Sequence, residues 1–397
     1  MTIDMREAPS AEWIAQVRKR FRVERTVDLQ LTGKLERRSQ PLTPLAGLTD
    51  IRARLERFFQ ANIAGKFALH NLTYLSGGAS KEQFVFDLET TTNGATRTEK
   101  LVLRRDPIEP VTATYREREY QLLRAYEGIV PVPRARWLDQ SGEFFGRSSL
   151  ICEFVPGVQK PTNGSGNITG IGILFAPHSR RRIADEFVGA MAKIHAADLK
   201  HADLSAFDIL PAGTTKPVEM HLDWWSRVWF EDRLEESSVM AIAENWLRRH
   251  VPIVDVVSLV HGDYRSGNFL FDEATDTITA ILDWELAHFG DRHCDLAWIL
   301  FEVFILSDER GRRLCCGMLP RDDMIALYEQ KSGFKVDEER LRYYEIFMLW
   351  KAVIICLATS PRVALGGRTH HDILANWLAG ISFMLLESLR KKLREVI

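Results

Sequence analysis

Residues 259–296 read LVHGDYRSGNFLFDEATDTITAILDWELAHFGDRHCDL, and the order of short runs in this stretch decides the fold. Two apolar runs, Ser258 to Val260 and Phe269 to Phe271, flank the polar cluster from His261 to Asn268. A turn rich in Asp and Thr, residues 272–277, leads to a third apolar run, Ile278 to Leu282, which stops at Asp283. Short apolar runs bounded by turn residues read as strands. The order is therefore strand, polar loop, strand, turn, strand, and it presents Asp263, Asn268 and Asp283 together.

Those three side chains suit one chemistry. A phosphoryl-transfer site needs a carboxylate that orients the attacking hydroxyl and accepts its proton, and oxygen ligands that hold Mg2+ against the nucleotide phosphates. Asp263 fits the first role; Asn268 and Asp283 fit the second. Protein kinases use an Asp, four spacers and an Asn, followed by an Asp on the next hairpin strand. That spacing is kept here. Gly262 replaces the usual Arg of the catalytic loop, and Trp284-Glu285 replaces the Phe-Gly after the metal-binding Asp. A plain buried polar turn would not need HxD, Asn and a second Asp at once.

The segments HGDYRSGN, ILDWE and GDRHCDLAW resemble the aminoglycoside phosphotransferase superfamily. Within it the chain is most similar to the branch that includes the kinase-like domains attached to some acyl-CoA dehydrogenases. The resemblance runs over nearly the whole chain. It implies an α+β, bilobal, protein-kinase-like fold: a small lobe with a five-stranded antiparallel sheet, and a larger, mainly helical lobe. It divides the chain into an N-terminal helical extension (1–64), a nucleotide-binding lobe (65–155) and a lobe with catalytic loop, metal site and substrate helices (156–397). It also implies ATP as phosphate donor, with GTP as the alternative, and Mg2+ as cofactor.

Composition agrees with two lobes. A chain of 397 residues is too long for one compact core. It is 46% hydrophobic and 27% charged, with a formal net charge of -2, which points to no nucleic-acid partner and no anionic membrane surface. Met1 to Pro9 is polar and does not read as a secretory leader. No apolar run is expected to span a membrane. The five cysteines, Cys152, Cys294, Cys315, Cys316 and Cys356, are scattered without a C-x-x-C pair, against a disulfide framework or zinc site. A cytoplasmic location is the default expectation.

In chain order, Ala11 to Val23 and Leu48 to Asn62 are predicted helices, separated by an irregular charged stretch from Arg22 to Pro44. Strands are expected at Leu69–Leu75, Gln83–Glu89 and Thr98–Arg105. Between the first two lies Ser76-Gly77-Gly78-Ala79-Ser80, a turn whose backbone N–H groups can approach phosphates; Gly77, Gly78 and Ser80 are the candidates. In the third strand, alternation puts Val102 and Arg104 on one face and Leu101, Leu103 and Arg105 on the other. The kinase pattern assigns Arg104 to the nucleotide phosphates, with Arg105 as the rival, and similarity to a family REY sequence makes Glu119, on a helix from Thr114 to Tyr126, its ion-pair partner. Two further strands, within Pro131–Asp139 and Ser148–Phe154, complete the sheet. Glu153 to Gly157 is then the hinge implied by the fold, where Glu153 and Val155 meet the adenine through backbone groups.

Beyond the hinge, Lys160 to Gly172 reads as a loop, Arg180 to Leu199 as a helix ending at a structural His195, and Leu222 to Leu247 as an aromatic helix. Of its aromatic residues, Trp225 or Trp229 is the candidate for a substrate pocket. Asp295 and His261 are expected to brace the catalytic loop, and Asp295 to open a helix running through Leu306. Helices follow at 322–332, 337–359 and 370–394, with Arg362 to Arg368 as a loop. The acceptor is expected to be a small-molecule hydroxyl. The mixed charges Glu231, Asp232, Glu235, Glu236, Arg227, Arg233, Arg248 and Arg249 fit an aminoglycoside polycation poorly, and the resemblance suggests a hydroxy acid or hydroxyacyl-CoA. An antibiotic, sugar or amino-alcohol kinase is the alternative; a catalytically silent nucleotide-binding module is the alternative of another class. The sequence leaves monomer and homodimer both open.

Overall fold

Apolar spacing of three and four in the first 62 residues produces three helices, α1 (Ala11–Arg20), α2 (Arg25–Arg38) and α3 (Leu48–Asn62). This computed structural model describes residues 5–38, 47–75, 81–162, 172–366 and 372–397. The stretch expected to be irregular contains α2. Its apolar residues Val27, Leu31 and Leu35 recur four apart and are buried, and its cations Lys34 and Arg38 are buried as well because both bind Asp232. Charges paired in this way hide a helix from a hydrophobicity pattern.

Period-2 alternation then builds five antiparallel strands: β1 (Lys66–Tyr74), β2 (Glu82–Thr92), β3 (Ala95–Arg105), β4 (Ala135–Asp139) and β5 (Ser149–Glu153), in the spatial order β1-β2-β3-β5-β4. One face of the sheet, with Phe84, Phe86, Leu101, Leu103 and Ile151, closes on Ile51, Leu55, Phe58 and Phe59 of α3. The opposite face of β3 turns Arg104 toward helix α4 (Arg116–Ala125), between β3 and β4, and toward the helical body.

The helical body follows: α5 (Arg180–Ala196), α6 (Lys216–Asp232) and α7 (Ser238–Arg249), then the short strands β6 (Ser258–Val260), β7 (Phe269–Asp272), β8 (Thr277–Ile281) and β9 (His288–Gly290), and α8 (His293–Ile299). A hairpin, β10 (Ile305–Ser307) and β11 (Arg313–Cys315), precedes α9 (Arg321–Ser332), α10 (Glu338–Ile354), α11 (Ser360–Gly366) and α12 (Asp372–Arg394). These elements share one large core that also takes in Val27 and Leu31 of α2 and Leu122 and Tyr126 of α4. Helices α1 and α2 therefore pack on α6, where Trp13 stacks on Phe230 at 5.9 Å, whereas α3 belongs to the sheet.

Three predicted elements differ. The helix expected over Leu222–Leu247 is two, broken after Asp232, where Arg233 takes φ -59° and ψ 138°. The helix opened by Asp295 stops at Ile299, because the chain turns extended at Phe301 (ψ 133°) to enter β10. Of the loop expected over Arg362–Arg368, the part to Gly366 belongs to α11, which continues α10 through the wider turn Ile355–Thr359; residues 367–371 lie outside the described residues. The run Glu338–Leu365 is long and apolar enough to cross a membrane by length and composition, contrary to expectation, but most of it is buried inside the protein. All five cysteines are buried and free.

Candidate active site

The catalytic hairpin forms as its sequence predicts. Strand β6 pairs with β9, β7 with β8, and the polar loop 261–268 lies between β6 and β7. Two backbone features shape it. Gly262 sits at φ 81°, and a Cβ there would lie 2.4 Å from the Leu286 carbonyl oxygen. The Arg usual at this point in protein kinases has no room, which accounts for the glycine. Asp283 takes φ 59°, the left-handed region, and turns the chain out of β8 into the short helical turn Trp284–Leu286.

Behind the loop stands Asp295, fully buried on α8. Its Oδ2 accepts from the His261 N–H at 2.7 Å and contacts His195 Nε2 at 3.1 Å, and its Oδ1 accepts from the Gly262 N–H at 2.9 Å. Burial alone would raise its pKa; the His195 hydrogen bond and the histidines around it outweigh burial and hold it below the usual range. His261 braces the other side. Its Nε2 donates to the Leu282 carbonyl at 2.9 Å and its Nδ1 accepts from the Asp263 N–H at 3.3 Å, a neutral tautomer consistent with burial lowering its pKa. Asp295, His261 and His195 thus take the supporting places expected of them.

The loop brings Asp263 and Asn268 into contact. Asn268 Nδ2 donates to the Asp263 carbonyl at 2.9 Å and to Asp263 Oδ2 at 2.6 Å. Asp263 Oδ1 accepts from Trp298 Nε1 at 2.7 Å and from Arg265 Nε at 3.2 Å. With its amide nitrogen engaged, Asn268 leaves Oδ1 as its acceptor. Asp283 binds Arg104 Nη2 through Oδ1 at 2.8 Å, and its side chain is 32% exposed. A carboxylate and an amide oxygen are hard oxygen donors of the kind Mg2+ takes, so the pair fits that ion.

On the sheet side, Arg104 Nη1 binds Glu119 Oε1 at 2.5 Å, so one guanidinium bridges the Glu of α4 and the Asp at the end of β8. Arg116 binds both Glu119 and Asp106, and the buried Lys81 binds Asp106 at 3.1 Å and Glu285 at 3.4 Å. Burial would raise the Glu119 pKa; Arg104 and Arg116 overcome it and hold the carboxyl ionised. Glu285 goes the other way: burial raises its pKa, Lys81 opposes this, and the neighbouring Asp283 and Glu119 add to it. Arg105 faces the α3 side, bound to Glu82 at 2.6 Å and to the Phe145 carbonyl at 3.1 Å, so Arg104 alone of the two rivals reaches the hairpin.

The remaining candidates are more dispersed. Glu153 ends β5 with its carboxylate on Arg136 at 3.0 Å. Val155 follows in the connecting segment, which is tied to the hairpin by the paired backbone bonds between Val158 and Phe271 at 3.0 and 3.1 Å. Gly77, Gly78 and Ser80 lie outside the described residues, as does most of the loop from Lys160 to Gly172. Trp225 and Trp229 are both buried, which removes them as pocket walls; Trp225 donates to His221 Nε2 at 3.1 Å. Arg227, Glu231 and Asp232 are buried in ion pairs with one another and with α2, so they present no charge to a substrate. His221, His288 and Cys294 gather their ligand-type atoms within 4.8 Å, but Lys351 and Arg118 act on both imidazoles and oppose a cation there.

Sequence reasoning missed Lys81, Arg116, Trp298 and Lys351. Signals existed for two of them: Lys81 directly follows the glycine turn, and Lys351 is a lone cation in an apolar helical run.

Residues 71–315, more than half the chain, match the profile described as phosphotransferase enzyme family. Among curated proteins, "Probable acyl-CoA dehydrogenase IBR3" of Arabidopsis thaliana is 25% identical over 332 residues, 79% of this chain and 39% of that protein. Acyl-CoA dehydrogenase family member 10 of Mus musculus is 28% identical over 213 residues, 52% of this chain and 19% of that one. The chain thus spans less than half the length of these relatives. Among solved structures, a presumptive aminoglycoside phosphotransferase of Ralstonia eutropha JMP134 superposes with a TM-score of 0.62 at 22% identity, over 87% of this chain and 98% of that one. The GDP complex of aminoglycoside 2'-phosphotransferase-IIIa does so with a TM-score of 0.53 at 16% identity, over 88% and 100%. At such identities the likeness speaks for the fold.

Proposed function

The chain belongs to the phosphotransferase enzyme family, and from that premise we propose that it transfers the γ-phosphoryl of ATP or GTP to the hydroxyl of a small molecule, with Asp263 as the proton acceptor. The observation that carries this reading is that Asn268 binds Asp263 at 2.6 Å, Arg104 binds Asp283 at 2.8 Å, and the Leu282 N–H, next to Asp283, donates to the Asn268 carbonyl at 2.8 Å and ties the two pairs together. In the proposed reaction Asp263 orients the acceptor hydroxyl and takes its proton as the phosphoryl leaves the nucleotide. Arg104, steadied by Glu119, meets the phosphates through its planar fork. Asn268 and Asp283 would hold Mg2+, which when bound neutralises phosphate charge. Gly77, Gly78 and Ser80 are proposed to cover the phosphates, and Glu153 and Val155 to meet the base. Such a site works by positioning and by charge stabilisation, since a loose transition state asks little covalent chemistry of the protein.

For the acceptor we favour a hydroxy acid or hydroxyacyl thioester. Two observations support it: Arg265 lies beside Asp263 with its guanidinium over the Phe304 ring at 5.5 Å, and the curated relatives are acyl-CoA dehydrogenase family members. A cation next to the base suits an anionic acceptor better than a polycationic one.

The test is nucleotide consumption with Mg2+ across hydroxy acids, their CoA thioesters, amino alcohols, sugars, macrolides and aminoglycosides, with calorimetry for nucleotide binding. Asp263→Ala is expected to abolish turnover and keep nucleotide binding; Asp283→Ala is expected to lose Mg2+-dependent nucleotide binding. Wild-type turnover in both variants would refute the site assignment, and failure to bind either nucleotide would refute the reading itself.

A further inference from the structure

We infer that Trp298 and Lys351 are positioning residues for the Asp263 carboxylate, Trp298 by a direct hydrogen bond and Lys351 through the Trp298 ring. The inference rests on reading Asp263 as the proton acceptor.

Trp298 Nε1 donates to Asp263 Oδ1 at 2.7 Å. The indole has little freedom: it stacks on Phe301 at 5.4 Å and 17°, and meets Phe304 edge-on at 5.4 Å and 70°. It also stands three residues after Asp295 on α8, so one face of this short helix anchors both the loop backbone and the loop carboxylate. Asn268 holds Oδ2 while Trp298 and Arg265 hold Oδ1. Rotating the carboxylate therefore breaks bonds on both oxygens. Of the three donors, the indole and the Asn268 amide are buried, whereas Arg265 is partly exposed on a long, flexible side chain.

Lys351 supplies the second part. It is buried on α10 among apolar residues, a costly place for an ammonium group. Its Nζ donates to the Gly262 carbonyl at 2.7 Å and lies 4.9 Å from the Trp298 ring centroid and 5.1 Å from that of Trp225. A cation over an aromatic face draws electron density toward itself. For Trp298 this makes the indole N–H a stronger donor to Asp263. The Trp225 N–H is directed at His221 instead, so of the two rings under Lys351, Trp298 carries its effect to the site. Burial depresses the Lys351 pKa, and the neighbouring Cys294, Asp263 and Asp295 act against that depression.

The experiment pairs kinetics with spectroscopy on the full chain. With MgATP, and water as acceptor where no faster one has been found, Trp298→Phe is expected to lower kcat about 10- to 100-fold, the loss of one charge-assisted hydrogen bond, and to leave KM for MgATP within about twofold. Lys351→Met is expected to lower kcat by a smaller factor, and by less again in the Trp298→Phe background, where only the loss of its bond to the Gly262 carbonyl remains. In the indole 1H–15N spectrum of the otherwise unchanged protein, Asp263→Asn is expected to shift the Trp298 signal, identified by sequential assignment; this arm does not require Trp298→Phe to fold. A Trp298→Phe enzyme with unchanged kcat, or an indole signal indifferent to Asp263→Asn, would overturn the proposal. Equal effects of Lys351→Met in both backgrounds would overturn the part assigned to Lys351. A wild-type protein with no turnover on any acceptor, water included, removes the phosphotransferase premise; an active wild type with a silent Trp298→Phe removes this proposal alone.

Discussion

Replacing Asp295 by Asn separates the support of the catalytic loop from its chemistry. The carboxylate is fully buried and faces three groups: the N–H of His261 at 2.7 Å, the N–H of Gly262 at 2.9 Å and His195 Nε2 at 3.1 Å. An amide of the same shape has one acceptor oxygen and one NH2, so a donor must face a donor on one side. The change forfeits at least one charge-assisted bond, about 1.5–3 kcal/mol, and leaves a buried N–H unmet, about 1–3 kcal/mol more. Together this is about 2.5–6 kcal/mol, a large share of a typical folding free energy of about 5–15 kcal/mol. The sign with pH follows from the depressed carboxyl pKa. Its contribution is complete above the ordinary value of 3.8 and is lost as pH falls through the folded-state value, so the gap between wild type and variant should close in strong acid. Urea unfolding followed by far-ultraviolet dichroism and by tryptophan fluorescence measures the gap, provided the two probes coincide. Turnover should fall as well, on the order of 10²-fold for a loop displaced by about 1 Å. An Asp295→Asn protein within about 1 kcal/mol of wild type at neutral pH, well under the expected cost of an unmet buried donor, would refute the reasoning.

Two further outcomes follow from buried charge elsewhere. Burial lowers the His288 pKa from 6.5 to about 4, and lowers those of His221 and His261 as well, so the unfolded chain takes up these protons first and stability falls as pH drops from 6.5 toward 4. His288 alone accounts for about 3 kcal/mol of that loss; a urea midpoint equal at both ends of this range would contradict it. Arg118 on α4 holds Glu24 at 2.8 and 3.0 Å and the Ala287 carbonyl at 2.9 Å, so Arg118→Met strands a buried carboxylate and should cost about 3–5 kcal/mol. The same variant should expose the chain around Glu24 to limited proteolysis, and an unchanged digestion pattern with an unchanged melting temperature would count against it.

The five strands of the sheet and the catalytic hairpin were legible because each rests on patterns a few residues long. Alternation in LVLRR puts Leu101 and Leu103 on the α3 side and Arg104 on the other, and the structure keeps that division. Helix α3 runs from Leu48 to Asn62, as its apolar spacing predicts. Errors arose where burial is satisfied by something other than apolar side chains. Helix α2 buries Lys34 and Arg38 against Asp232, so its charge concealed it. The aromatic residues of α6 looked available for a ligand because composition cannot tell a pocket from a core; Trp225 and Trp229 are core.

Sequence separation marks where such reading ends. Asp263 and Asn268 are five residues apart, and their contact is written into the loop. Trp298 is 35 residues from Asp263, Lys351 is 89 from Gly262, and Arg104 is 179 from Asp283. For the last of these, a known loop-and-strand pattern assigned both residues to the phosphate site, though not to each other. No comparable pattern marks the donors behind the base, and a Trp or Lys in an apolar helix reads as packing in one case and as an anomaly in the other. Only once α8 and α10 are placed behind the loop do the two acquire an orientation, an indole N–H toward the carboxylate and an ammonium over the same indole. The groups expected to meet substrate were thus visible in local spacing. Those that hold them still depend on helix packing, which a single sequence does not encode at short range.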